Sequence, residues 1–214
     1  YDLVALPGPV RETLRPQLRA MVRTEPEAGL RATAEWLLRH WGHEADVREA
    51  RETLAGVSAG PGHNWRVTPA GLTMISFAGP ILTELGSPDT NTYRVVPNPP
   101  RWTLIPRRFA ISAEVVTLKL FREYLTWQYD PEAAVRHAPG RADDAADLQA
   151  PFYDAQRFCN WLSWREGIPE TEWCYRESPF PNQLVAVDNH LDKAGYRLPT
   201  EAEWEFAARA GSVW

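Results

Sequence analysis

The chain has 214 residues, of which 44% are hydrophobic and 24% charged, enough for one good core or two small ones. A net charge of −5 excludes the basic surface of a nucleic-acid-binding protein. The sequence also lacks a run of about 18 apolar residues, the length that a membrane span needs. The 10 Trp and 19 Pro residues favour an α+β domain with bulky aromatic side chains and long ordered loops.

The first 55 residues have the periodicity of short helices. Two apolar stripes repeat every three or four residues, the first at Val10, Leu14, Leu18 and Met21, the second at Leu30, Ala34, Leu37, Leu38 and Trp41. Pro26 is expected as an early residue of the second helix, and a third helix is predicted over 44–54. Residues 1–55 therefore form an all-α segment that resembles the end unit of a HEAT-like solenoid.

A change of composition marks the boundary between two predicted domains. The stretch AGVSAGPGHN is rich in Gly and lacks periodicity, so residues 56–66 are predicted to be a linker and residues 67–214 a second domain. Strands are predicted over 72–77, 81–85 and 102–112. Thr117 is expected to cap a helix that runs to about Gln128, and a second helix is predicted over 154–166, where Gly167 ends it.

Near the C-terminus the chain reads GYRLPTEAEWEFAARAG. Thr200 and Glu203 have the spacing of a capping box, so a helix is predicted over 201–210. Gly211 is expected to end this helix in the left-handed conformation. Trp204 is expected on the inner face of the helix, packed in the core. These features indicate a structural element and do not require catalysis.

The order of these segments resembles the formylglycine-generating enzyme, or sulfatase-modifying factor, family. The resemblance rests on LTMISFAGPILTELGSP, RRFAISAEVVTLKLFREYL, FYDAQRFCNWLSWREGIPE and GYRLPTEAEWEFAARAG, and it covers residues 67–214. It implies a C-type-lectin-like fold and a structural role for Arg197, Thr200, Glu201 and Trp204. The segment AEWLLRHWG before the linker is similar to planctomycete multidomain proteins, in which a kinase or helical-repeat region precedes such a domain.

The family resemblance also implies cofactors. Formylglycine generators hold copper(I) with two thiolates, related sulfoxide synthases hold non-haem iron with three His, and family members bind calcium. The resemblance implies that these ligands lie in the C-terminal half of the domain, so we expect them beyond residue 214; the chain, which begins with Tyr1, looks like part of a longer protein. Catalytic, cofactor-binding and metal-ligating residues are therefore expected to be absent from this chain.

Three groups of side chains within the chain are candidates for these roles. Cys159 and Cys174 are expected to be core thiols, although a disulfide between them remains open. The chain has only two cysteines, and so small a number favours a reducing, cytoplasmic compartment. His40 and His43 are three residues apart, but no third ligand is identifiable among His63, His137 and His190. The carboxylates of Asp143, Asp144 and Asp147 could bind calcium, but a solvated loop is favoured.

Two functions are compatible with this sequence. In the first, the parent protein oxidises a cysteine or another sulfur substrate with O2 and a metal, and this chain lacks the catalytic half. In the second, the domain is a non-catalytic lectin-like module that binds a ligand in a kinase-linked bacterial regulatory protein. A protein or peptide substrate, or a small ligand, is the expected partner.

Overall fold

The structure is a computed structural model and describes residues 5–58, 60–86, 99–146 and 150–210. The chain folds into two compact units. The first unit contains Tyr1–Ala113 and Thr200–Trp214, and the second contains Glu114–Pro199. Helices and small antiparallel sheets together confirm the α+β class. Among the described residues, no helix is long and apolar enough to cross a membrane.

Three helices open the first unit, as the periodicity predicts: α1 (Gly8–Thr24), α2 (Ala28–His40) and α3 (Glu44–Leu54). Their buried core is Leu18, Val22, Ala34, Leu37, Leu38, Trp41, Val47 and Ala50. Two residues of the predicted apolar stripes lie outside this core, because Val10 is 41% exposed and Leu30 is 51% exposed. Pro26 is also not helical: the Glu27 carboxylate caps α2, accepting the Gly29 and Leu30 amides at 2.9 and 2.8 Å.

A buried ion-pair network lies on α2. Arg31 and Glu35 are 2% and 4% exposed, and their side chains approach within 2.6 Å. Arg51 of α3 reaches the other Glu35 oxygen at 2.7 Å, and Arg39 lies 3.8 Å from it. Because a buried carboxylate needs compensation for its lost hydration, these cations are a condition of burying Glu35.

The helices of the first unit pack on its sheet through Asn64 and Trp65. The Asn64 side chain accepts the Ala28 amide at 2.8 Å at the start of α2. Trp65, which is 4% exposed, donates its indole N–H to the Glu25 carbonyl at 2.7 Å. The Arg31 guanidinium lies 4.1 Å from the centre of the Trp65 ring, a cation–π contact.

The described residues of the first unit form two sheets. Strands β1 (Trp65–Val67), β2 (Thr73–Phe77) and β5 (Phe109–Ser112) form an antiparallel sheet in the order β1-β2-β5. Strands β3 (Ile81–Leu85) and β4 (Arg101–Ile105) form an antiparallel pair. The single strand predicted over 102–112 is wrong: Pro106 separates β4 from β5, which belong to different sheets. Proline has no N–H for a ladder, which suits an interruption there.

The second unit is built around two helices. These are α4 (Leu118–Gln128) and α6 (Phe152–Arg165), with the short α5 (Pro131–Arg136) between them. A 3-10 turn (Glu170–Glu172) and an antiparallel pair, β6 (Tyr175–Glu177) and β7 (Leu184–Ala186), follow. The predicted helix after Thr117 is confirmed as α4, and its inner face carries four buried residues, Leu118, Phe121, Tyr124 and Leu125. The last described helix, α7 (Glu201–Arg209), belongs to the first unit.

Candidate functional site

Helix α7 begins with the capping box that the sequence predicts. The Thr200 amide donates to Glu203 Oε2 at 2.9 Å, and the Glu203 amide donates to Thr200 Oγ1 at 3.2 Å. Glu203 is only 1% exposed, so the box is part of the interior of the first unit. At the other end Ala210 adopts the left-handed conformation (φ 47°, ψ 39°), and Gly211 lies outside the described residues.

Charged side chains of α7 bind the strand pair β3–β4. Glu205 Oε1 accepts the Gly86 amide at 2.8 Å, one residue after β3. Arg209 donates to both the Gly86 carbonyl and the Glu205 carboxylate. Arg101, the first residue of β4, pairs with Glu201 at 2.8 Å. These carboxylates and cations therefore hold neighbouring strands, which is a structural role.

The prediction that Trp204 packs in the core is wrong. Its side chain is 60% exposed. Phe206 takes the inner position instead, with its ring centre 5.2 Å from that of Phe77 and 6.3 Å from that of Phe109. Because successive helical residues are rotated by about 100°, a helix with Glu203 and Phe206 on its inner face turns Trp204 away from the sheet.

Both cysteines are buried in the second unit, as expected, and neither forms a disulfide. Cys174 is fully buried, and its thiol donates to the carbonyls of Gly195 at 3.3 Å and His190 at 3.4 Å. Burial, with a smaller contribution from Cys174, raises the pKa of Cys159 to about 12. Burial also raises the pKa of Cys174. Both groups are therefore neutral thiols at physiological pH.

The surroundings of the two thiols favour their protonated form. Copper(I) is held by thiolates, and a reactive cysteine is exposed enough to ionise. The two cysteines instead pack with Tyr175 and Leu184 in one apolar cluster. In this structure the two cysteines therefore serve as core residues of the second unit.

The chain around Cys174 is fixed by close backbone contacts. A Cβ at Gly195 would lie 2.5 Å from the Glu172 carbonyl oxygen, so this position requires glycine. The next amide, Tyr196, donates to Ser163 Oγ at 2.8 Å, and the Leu198 amide donates to the Tyr175 hydroxyl at 3.0 Å. The segment that leads into the RLPTE block is thereby bound to α6 and β6.

The histidines do not come together as a site. His40 stacks on Trp36 with ring centres 4.2 Å apart, whereas His43 Nε2 lies 3.4 Å from the Glu12 carboxylate. His137 packs on Phe121, and the other two histidines lie in separate segments, at positions 63 and 190. In the described ranges, no group of three or more His, Cys, Asp and Glu side chains could hold a metal ion.

The acidic loop before α6 is engaged with α4. Asp143 pairs with Arg122 at 2.7 Å, and its carbonyl accepts the Lys119 amide at 2.9 Å. Ala145 likewise accepts the Leu118 amide at 2.8 Å, so this loop satisfies the first amides of α4. The Asp143 carboxylate therefore serves as an ion-pair partner here, and Asp147 lies outside the described residues.

A polar cluster in the second unit is not foreseen by the sequence analysis. Asp154 Oδ1 accepts the hydroxyls of Tyr129 at 2.8 Å and Tyr124 at 3.2 Å, and Arg157 lies 3.6 Å away. Burial and the nearby carboxylate raise the pKa of both tyrosines, so both hydroxyls remain protonated donors. The tyrosines lie 25 and 30 residues from Asp154, and no local spacing signals such a contact.

Comparison with known proteins decides the family. The family model described as "Sulfatase-modifying factor enzyme 1-like domain" matches residues 67–213, more than half of the chain. The chain belongs to this family. Formylglycine-generating enzyme of Mycobacterium tuberculosis (strain ATCC 25618 / H37Rv) is 31% identical over 111 residues, which are 49% of this chain and 26% of the relative. The chain thus spans about a quarter of that enzyme, and a search of the solved structures finds no match.

Membership in the sulfatase-modifying factor family confirms the resemblance on which the sequence analysis relies. The matched range begins at Val67, the last residue of β1, and includes β2 to β7 with α4 to α7. The three N-terminal helices lie outside the matched range, although they belong to the same compact unit as the first sheet. Their likeness to a HEAT unit stays a prediction.

Proposed function

We propose that this chain supplies the structural scaffold of a formylglycine-generating-enzyme-like domain with a C-type-lectin-like fold. We further propose that the whole protein oxidises a cysteine or another sulfur substrate with O2 and a metal. The family match and the similarity to a formylglycine-generating enzyme support this assignment. In this proposal residues 1–55 are a HEAT-like helical segment and residues 56–66 a linker, as in multidomain bacterial proteins that carry a kinase.

The state of the cysteines carries the proposal that the reactive groups lie elsewhere. Cys174 donates its thiol proton to two carbonyls, and burial raises the pKa of Cys159 to about 12. Such groups stabilise a core, and each would have to lose its proton before it could bind a metal. We propose that copper or non-haem iron, and calcium, bind residues of the whole protein beyond position 214, as the family resemblance implies.

The test uses the full-length protein. It is loaded with copper(I) under reducing conditions, mixed with a cysteine-containing peptide and oxygen, and the peptide mass is followed. Cys159→Ala and Cys174→Ala are measured beside the parent, with circular dichroism to verify that each variant is folded. We expect copper content and peptide oxidation to survive both substitutions. Loss of copper from a folded variant would place the metal on these cysteines. If the copper-loaded parent does not oxidise the peptide, the proposed oxidase activity is rejected.

A non-catalytic ligand-binding module is the second candidate, and a surface feature favours it. Trp127 at the end of α4 and Trp164 at the end of α6 are 49% and 50% exposed, with ring centres 5.1 Å apart. Paired exposed indoles offer a flat apolar surface to a ligand. This candidate predicts a full-length protein that binds no redox metal and whose ligand affinity falls in Trp164→Ala.

A further inference from the structure

A cavity of about 160 Å³ lies in the first unit where the helices meet the first sheet. Three segments surround it: the end of α1, the end of α3 with the chain that follows it, and β1. The lining residues are Arg23, Thr24, Leu54, Val57, Ser58, Gly60, His63, Trp65, Arg66 and Val67. This volume is below the roughly 300–1,000 Å³ of pockets for drug-sized ligands, so a metabolite of a few heavy atoms is the appropriate size.

Most of the cavity wall is apolar. Leu54, Val57 and Val67 contribute aliphatic side chains from two segments, and Trp65 adds an aromatic ring. The Trp65 ring cannot move freely, because its N–H is bonded to the Glu25 carbonyl and Arg31 covers the ring. A ligand with a short hydrocarbon part would therefore meet a formed surface.

The polar part of the lining is cationic. Arg23 and Arg66 contribute two guanidinium groups, and none of the described lining residues carries a carboxylate, although the chain as a whole has a net charge of −5. Arg23 pairs with Glu49 at 2.8 Å, but the same carboxylate also binds Arg19 at 3.2 Å. Arg19 also lies 3.5 Å from Asp46, so the cationic character comes from the lining itself, whose described residues include two guanidinium groups and no carboxylate.

His63 adds a third nitrogen-bearing side chain with a defined orientation. Its Nδ1 lies 2.9 Å from the Gly60 carbonyl, and its ring meets Trp65 edge-on with centres 5.3 Å apart. With Nδ1 donating to that carbonyl, Nε2 is the ring nitrogen left for a ligand.

We propose that this cavity binds a small organic carboxylate with a short branched or linear hydrocarbon part. The carboxylate would lie at the Arg23 and Arg66 rim, where guanidinium groups match its geometry. The hydrocarbon would pack on Leu54, Val57 and Val67. A bound molecule contacts α1, the chain after α3 and β1 together, so it stabilises the first unit. The site is independent of the proposed oxidation.

The experiment measures binding of 3-methylbutanoate to the full chain by calorimetry and by the shift of the melting temperature. Two comparison ligands separate the contributions: 3-methylbutan-1-ol has the hydrocarbon without the charge, and inorganic phosphate has charge without the hydrocarbon. We expect saturable binding of the carboxylate, with a melting temperature that rises with its concentration. The alcohol and phosphate are expected to bind much more weakly.

Two pairs of variants locate the site. Arg66→Gln removes a rim charge from the exposed middle position of β1, and Arg176→Gln is the matched change at the exposed middle of β6. Val57→Phe fills the cavity from a residue that is 54% exposed, and Val115→Phe is the same change at a residue that is 64% exposed. Arg66→Gln should weaken binding about tenfold, as expected for a lost charge-assisted hydrogen bond. Val57→Phe should abolish it, and both controls should bind as the parent does.

Several outcomes would overturn the proposal. Binding of the alcohol or of phosphate as tight as that of the carboxylate removes the need for an organic anion. Equal losses in Arg176→Gln or Val115→Phe show non-specific association. No saturable binding by the parent excludes the site. If Arg66→Gln melts below the parent without ligand, Val57→Phe decides the outcome.

Discussion

Replacing Trp65 with Ala should strongly destabilise the first unit. The side chain is 4% exposed, packs with Ala28 and Val67, donates to the Glu25 carbonyl, and carries the Arg31 guanidinium on its face. Truncating a buried Trp costs about 3–5 kcal/mol. We expect the upper end of that range, because the hydrogen bond is worth about 1 kcal/mol and a desolvated cation–π contact about 2 kcal/mol.

The measurement is urea unfolding followed by far-UV circular dichroism, which does not depend on the fluorescence of the removed indole. With a slope of about 2 kcal/mol per molar urea, a loss of about 4–5 kcal/mol lowers the midpoint by about 2 M. Trp204→Ala is the matched control in the same unit. Because Trp204 is 60% exposed, this change should cost less than about 1 kcal/mol.

The unfolding midpoints of the two tryptophan variants test which of the two indoles stabilises the first unit. Equal midpoints for Trp65→Ala and Trp204→Ala would show that the contact between the helices and β1 adds no stability. A large loss in Trp204→Ala alone would show that Trp204 is a core residue, as the sequence pattern predicts, and that the orientation of α7 is wrong.

Four further outcomes are expected. Thr200→Ala should lower the free energy of unfolding by about 1 kcal/mol through loss of the cap, and Thr200→Ser should restore most of it. Gly195→Ala should prevent normal packing, since its Cβ would lie 2.5 Å from a carbonyl oxygen; a parent-like melting temperature would contradict this. Cys159 and Cys174 should resist a maleimide in the native chain and react fully in urea, as mass spectrometry would show. The Arg15 hydrogen bond lowers the pKa of Asp46 in the folded chain. The stabilisation that this bond adds is therefore present above the pKa of Asp46 in the unfolded chain, and it is lost as the pH falls through the folded-state pKa. The melting temperature of Asp46→Asn should therefore vary less with pH in the acid range than that of the parent. The same variation in both chains would refute the assignment.

Local signals predict most of the helices. The apolar stripe of α4 and the capping box of α7 depend on neighbours three or four residues apart, which a sequence displays directly. The short α5 is not predicted, although Asp130 caps it and Pro131 begins it, because six residues give too few turns for a periodicity.

Features that depend on distant contacts are not predictable from local pattern. The size of Trp204 favours it for the inner face of α7, but the burial of Glu203 and the contact of Phe206 with Phe77 decide the orientation. Similarly, the stretch around Trp65 lacks periodicity, yet its indole binds a carbonyl 40 residues away. The polar cluster at Asp154 is hidden for the same reason, because a sequence displays residue types without their neighbours in space.

The network around Glu35 predicts how this segment can change during evolution. A neutral residue at position 35 alone would leave Arg31, which is 2% exposed, without its carboxylate, and breaking a buried ion pair in this way costs about 3–5 kcal/mol. Replacing Arg31 and Arg51 alone would leave the buried acid with the more distant Arg39, at 3.8 Å. Homologous chains should therefore either keep these three positions or exchange them jointly for apolar side chains, so the trio should covary.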